Sequence, residues 1–229
     1  NTQPKQSGSV ELDLEKLMLD NVRVRMDDAW TGYDYDIDIG SLLTNVEEID
    51  FTKKAIVVSR IDLANSSIRL RDYKGGKPPT PKKPMVIDTT AFNPDEWTVN
   101  MGSIKLDDCH FRFVNKEGKP YPNEFDPEYI EVSRLNAEIL DLRIVGDTLR
   151  ARMEHFSALE RSGFEVKQMQ SIVSVSPRAS ICRDLLLQTN NSTLGNYYAM
   201  HYERFPDFTD YIRKVRMDAR LVNAKIDPK

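Results

Sequence analysis

Three histidines, two cysteines and one run of alternate aspartates are the residues whose types suit metal, acid–base or thiol chemistry. His110, His155 and His201 stand singly, in none of the spacings that bring two imidazoles onto one metal. Each lies in an alternating stretch and reads as a surface or strand-packed histidine. Cys109 and Cys182 lack the C-x-x-C pairing of metal and redox motifs. Two readings stay open for them: buried free thiols on strands, or a bridge in an oxidising compartment. Asp34, Asp36 and Asp38 resemble the start of a calcium loop, but Gly40 is misplaced for the glycine of such a loop, and apolar residues alternate with all three. They read as the solvated side of a strand. There is no G-x-S-x-G elbow and no phosphate-binding glycine loop. The residues therefore predict no enzyme, no metal and no cofactor.

The elements that would position these groups are strands. Tyr33, Tyr35, Ile37 and Ile39 alternate with aspartates, Ile68 and Leu70 with arginines, Ile104 and Leu106 with Lys105, and Phe111 and Phe113 with Arg112. Period two with one apolar and one charged side is a half-buried strand. Ser41–Val46 also reads as strand. The best helical signal is Pro206–Val215, where Phe208, Tyr211, Ile212 and Val215 recur at helical spacing behind Asp207 or Thr209. Asp72–Pro84 and Asn115–Pro127 are rich in glycine and proline and read as loops. Charged residues make up 30% and the net charge is −4, an ordinary folded composition that gives no reason to expect a nucleic-acid partner. No apolar run approaches the roughly 18–20 residues that span a bilayer.

One pattern recurs. Leu19-Asp20-Asn21-Val22-Arg23-Val24-Arg25-Met26, Leu63-Ala64-Asn65-Ser66-Ser67-Ile68-Arg69-Leu70 and Leu106-Asp107-Asp108-Cys109-His110-Phe111-Arg112-Phe113 share Leu-x-[Asn/Asp]-x-x-apolar-Arg-apolar. The leucines stand 44 and 43 residues apart (19 to 63, 63 to 106). Looser copies begin at Leu159 and Leu187. Apolar residues before each leucine share its parity, and those after the Asx step have the other. A strand changes parity without changing face only at a bulge or turn, and Asn and Asp suit that point because they tolerate the left-handed region. Each unit thus predicts strand, Asx kink, strand.

The second half resembles a family. Leu159-Glu160-Arg161-Ser162-Gly163-Phe164-Glu165-Val166, Leu185-Leu186-Leu187-Gln188-Thr189-Asn190-Asn191-Ser192, and Asp207-Phe208-Thr209-Asp210-Tyr211-Ile212 with Val215-Arg216-Met217 look like successive segments of TamB-like proteins. The Leu19, Leu63 and Leu106 repeats are similar to those of the wider AsmA-like group. The resemblance implies a periplasmic section of a protein tethered to the inner membrane by an anchor outside this chain. It implies a role in phospholipid transfer between membranes or in outer-membrane biogenesis. The implied partners are acyl chains and an outer-membrane barrel assembly protein.

The expected fold is mainly β: a curved or twisted sheet of repeated meander strands forming a groove or taco-like layer, with one or two short helices. Residues 1–11 are expected as a disordered lead-in and 12–229 as a single domain. Within it, 12–72 is the first repeat region, 73–97 a loop-rich connection, and 98–229 the later repeats, with the helix near 206–215. The expected lipid-facing residues are Val24, Met26, Ile37, Ile39, Ile61, Leu63, Ile68, Leu70, Phe111 and Phe113. Two other readings remain: a structural or adhesive module whose apolar faces bury each other, and a scaffold that pairs an edge strand with a client barrel protein.

Overall fold

A computed structural model describes residues 15–78, 92–115, 119–222 and 224–225. The expected lead-in at 1–11, the middle of the connection at 79–91 and residues 116–118 of the second loop lie outside the described residues.

The chain is mainly β, as its alternation requires. Among the described residues, eleven strands form one large curved sheet: β1 (Lys16–Asp28), β2 (Tyr33–Asp50), β3 (Ala55–Ala64), β4 (Ser67–Asp72), β5 (Thr98–Val114), β6 (Tyr129–Val145), β7 (Thr148–Glu160), β8 (Glu165–Ser176), β9 (Ala179–Thr189), β10 (Thr193–His201) and β11 (Arg216–Leu221). The helical signal becomes a 3-10 helix, Phe205–Asp210, running into a single turn of α-helix, α1, Tyr211–Lys214.

Neighbours in the chain are neighbours in the sheet, joined antiparallel, with one exception. β3 and β4 are two halves of one interrupted strand, and both lie between β2 and β5. Their pairing with β5 is parallel, at a constant offset of 43 residues, from Ala55↔Thr98 to Arg71↔Val114. The chain therefore leaves β4 at one end of the strand and enters β5 at the other. The first residues of the connection at 73–97 pack on the β1–β2 turn, where Tyr73 and Gly76 donate to Gly32 and Ala29 carbonyls. Its last residues pack at the opposite end, where Thr98 donates to Lys54.

The predicted kinks are present at all three strong copies. Asn21, Asn65 and Asp108 have φ of 53°, 50° and 46° inside otherwise extended strands. They form one row: Asn21 and Asn65 flank Gly40 of β2 by register, and Asp108 lies beside Asn65 at the same offset of 43 residues. The repeat spacing is thus a pairing register, for Leu19, Leu42, Leu63 and Leu106 also stand side by side. Further left-handed residues sit at Arg134 and Asp141 in β6, Asp184 in β9 and Asn196 in β10. The two looser copies are different objects. Leu159–Phe164 spans the β7–β8 turn and Leu187–Leu194 the β9–β10 turn, since a hairpin reverses parity as a bulge does.

Elements touch only their partners within the sheet, apart from the 3-10 helix against α1. Among the described residues there is no second layer, and the apolar residues that reach full burial are small in number: Val58, Val99, Cys109, Ala137, Leu185, Ala199 and Tyr202. A sandwich of this length would bury an alternate set along every central strand. Among the described residues, no second sheet or helix covers either face of the sheet.

Candidate functional site

Directly paired residues project from the same face of a sheet, so the register assigns the faces. Val24, Ile37, Ile68, Phe111 and Val132 form one row, and Met26, Tyr35, Leu70, Phe113 and Ile130 the next. Across the kinks, Leu19, Leu42, Leu63, Leu106, Ala137 and Phe156 form a third row, and Leu17, Thr44, Ile61, Ile104, Ile139 and Met153 a fourth. On β1, β3–β4, β5 and β6 a left-handed residue stands between the two sets and rotates the strand by about half a turn, which keeps the paired rows on one face despite their opposite parity. The face continues through Ala151, Val173, Cys182, Tyr198 and Ala219 to the far edge. At about 4.8 Å per strand it is roughly 43 Å across.

All ten expected residues lie on this face. Ile39 joins it through its pairing with Val22. Val24 and Met26, on the edge strand, are exposed, and the other eight are half-buried. None reaches the burial of a closed core. The sequence readily identified alternation on each strand. It missed the β6–β10 part of the face, where no Leu-x-Asx pattern marks the kinks.

The opposite face is a charge ladder. Arg25, Asp36, Arg69, Arg112 and Glu131 form its central row. Arg23 reaches Asp36 at 2.7 Å, and Arg69 reaches Asp38 at 3.0 Å and Asp36 at 3.5 Å. The Arg23 hydrogen bond holds the Asp36 carboxyl below its ordinary range. The aspartate run thus serves as counter-charge to arginines on the neighbouring strands. His110 lies 3.5 Å from Glu131 on the same face. Cys109 on β5 and Cys182 on β9 are free thiols with three strands between them, and burial pushes both thiols up. The bridge left open by the sequence is not formed.

One end of the apolar face carries an aromatic cap. Tyr202 continues the alternation of Tyr198 and Met200 beyond β10. Its buried hydroxyl donates to the Ser176 carbonyl at 2.8 Å and lies 2.9 Å from Ser180 Oγ. Phe205 packs at a tilt against Tyr202, and Phe92 meets Phe205 edge-on, each with centroids 5.7 Å apart. Phe92 arrives from the other side. Asn93 Nδ2 donates to the Gly146 and Trp97 carbonyls, and its backbone N–H donates to Asp147, at the β6–β7 turn. The chain entering β5 and the chain leaving β10 thus meet across the ends of β7, β8 and β9.

Asp207 locks this cap. Its side chain is 6% exposed and accepts from the Glu203 and Arg204 backbone N–H groups, with Arg204 and Lys214 nearby. Burial opposes its ionisation, but those donors and cations outweigh burial, and the carboxyl sits below its ordinary value. A depressed carboxyl stabilises the fold above the unfolded pKa of about 3.9, and that contribution is lost as pH falls through the depressed value. Asp207→Asn is therefore expected to melt lower than the parent at neutral pH. The gap should close as both are titrated below the ordinary carboxylate range, as read by thermal unfolding across pH.

No family model matches the chain, and neither a curated protein nor a solved structure is similar to it at a significant level.

Proposed function

We propose that this chain is a non-catalytic periplasmic section of an inner-membrane-anchored, AsmA/TamB-like protein, and that its apolar face carries phospholipid acyl chains between membranes or during outer-membrane biogenesis. The observation that supports this reading is the continuous apolar face through all the strands, with no second layer among the described residues. The alternative of apolar faces buried against each other within the chain is less well supported for the same reason. Acyl chains gain about 0.8 kcal/mol per methylene removed from water, so even partial coverage along such a face retains a lipid. The charged reverse face keeps the section in solution.

The test is lipid extraction from the purified chain with identification by mass spectrometry, followed by transfer between donor and acceptor vesicles. Co-purified diacyl lipid and accelerated transfer are expected. Absence of both sinks direct lipid carriage by this section. A second reading, strand pairing with a client barrel protein, has in its favour that β1 and β11 each have one neighbour among the described strands. Loss of outer-membrane barrel proteins in a deletion strain with normal lipid balance would favour it.

A further inference from the structure

On the charged face, an open depression of about 650 Å³ lies where β1, β2, β4, β5 and β6 end, under Lys119 and Pro120 of the loop that follows β5. Four of the eight charged groups on its wall are paired with one another. Arg25 bonds Asp27 at 2.9 Å, and Arg69 lies 3.5 Å from Asp36. Asp34 accepts from the Tyr73 hydroxyl and the Asp28 backbone N–H. Asp34 is hydrogen-bonded but keeps its charge, so the five cations of the wall exceed its three carboxylates by two. Among the described residues, Arg71, Arg112 and Lys119 form no ion pair, although Glu131 is cross-strand to Arg112 and Asp34 to Arg71. Glu131 turns to His110 instead.

The two arginines are held in place by rings. Arg71 lies 4.9 Å over Tyr73, and Arg112 lies 5.0 Å over Tyr129 while donating to its hydroxyl. Stacking fixes a guanidinium plane without neutralising it, which leaves its remaining N–H groups directed and charged. The loop above is itself fixed by Asp126. That side chain is fully buried and accepts from the Tyr121 and Glu128 backbone N–H groups. We infer that this depression is a binding site for a phosphate-type oxyanion, clasped by Arg71 and Arg112 from the sheet and by Lys119 from the loop. Two guanidinium forks and an ammonium suit a tetrahedral oxyanion with several equivalent acceptors. The site lies on the reverse of the apolar face and does not depend on lipid carriage.

Titration calorimetry at low ionic strength tests this with inorganic phosphate and pyrophosphate. In parallel, the chain is sedimented with phosphatidylcholine vesicles, with or without phosphatidylglycerol. Saturable binding of the soluble anions is expected, weakened about tenfold by Arg112→Ala and by Lys119→Ala (a fold-change worth about 1.4 kcal/mol). Arg112→Lys should recover only part of the loss, because an ammonium lacks the fork. Binding to phosphatidylglycerol vesicles alone, with the same sensitivity, would identify a lipid headgroup as the source of the oxyanion. Lys119 is exposed on a loop, so its variant keeps the test valid if the arginine variant does not fold. No saturable binding in any arm, or binding indifferent to both variants, overturns the site.

Discussion

Replacing Gly40 by valine is expected to lower stability by about 3 kcal/mol, which for a chain of this size is about 10 °C in melting temperature. Gly40 stands in β2 between the kinks at Asn21 and Asn65. A Cβ there would lie 2.5 Å from the Asn65 carbonyl oxygen, 2.8 Å from that of Ala64 and 2.9 Å from Asn65 Cβ. Two of these are backbone atoms at the kink between β3 and β4, which is held between its neighbours, so relief requires the sheet to part. The Gly40 N–H also donates to Ser66 Oγ, a bond that displacement would strain. Gly146→Asn is the matched control. Its φ of 53° suits asparagine, nothing lies within 4 Å of its missing Cβ, and little change is expected. Thermal melts of both variants by circular dichroism make the comparison.

Introducing charge at the centre of the apolar face should remove lipid and spare the fold. Ile68→Asp with Phe111→Asp places two carboxylates side by side in the row that runs from Val24 to Val132. Both positions are half-buried, and nothing described packs on them, so water can still reach a carboxylate in the empty sheet. Under an acyl chain it cannot, and an unpaired carboxylate is costly to desolvate. Co-purified lipid is expected to fall at least about tenfold, equivalent to about 1.4 kcal/mol. Lys105→Asp in the same strand faces the other way and should leave the lipid yield unchanged. Equal lipid from all three proteins would remove the apolar face as the carrier surface.

The strands and the three strong kinks were legible because both express themselves in one dimension: alternation marks a strand, and a parity change marks a half-turn. Asn21, Asn65 and Asp108 were found in this way. A parity change does not distinguish a bulge from a hairpin, which is why the copies at Leu159 and Leu187 proved to be turns. Arg134 was invisible for a different reason. It takes φ of 50° without the side chain that favours that region, and Asn136 supports it by donating to its carbonyl. The anion depression could not be read from the sequence at all. Arg71, Arg112 and Lys119 meet through a parallel pairing and a loop, and neither has a period.

The parallel seam between the β3–β4 strand and β5 also divides the chain in time. On each side of it the strands form a meander, β1 to β4 and β5 to β11, in which every pairing closes a short turn or a modest loop. Hairpins of that kind form in about 1–10 μs. The seam joins residues 43 apart in sequence, with the end of β4 and the start of β5 at opposite ends of the strand. Its loop-closure entropy falls due before the contacts that reward it. Two meanders that assemble early and dock late are the kinetic consequence. Until docking, each exposes one long strand edge, that of β3–β4 on one side and that of β5 on the other, and those two edges are where a chaperone or an aggregating neighbour would compete.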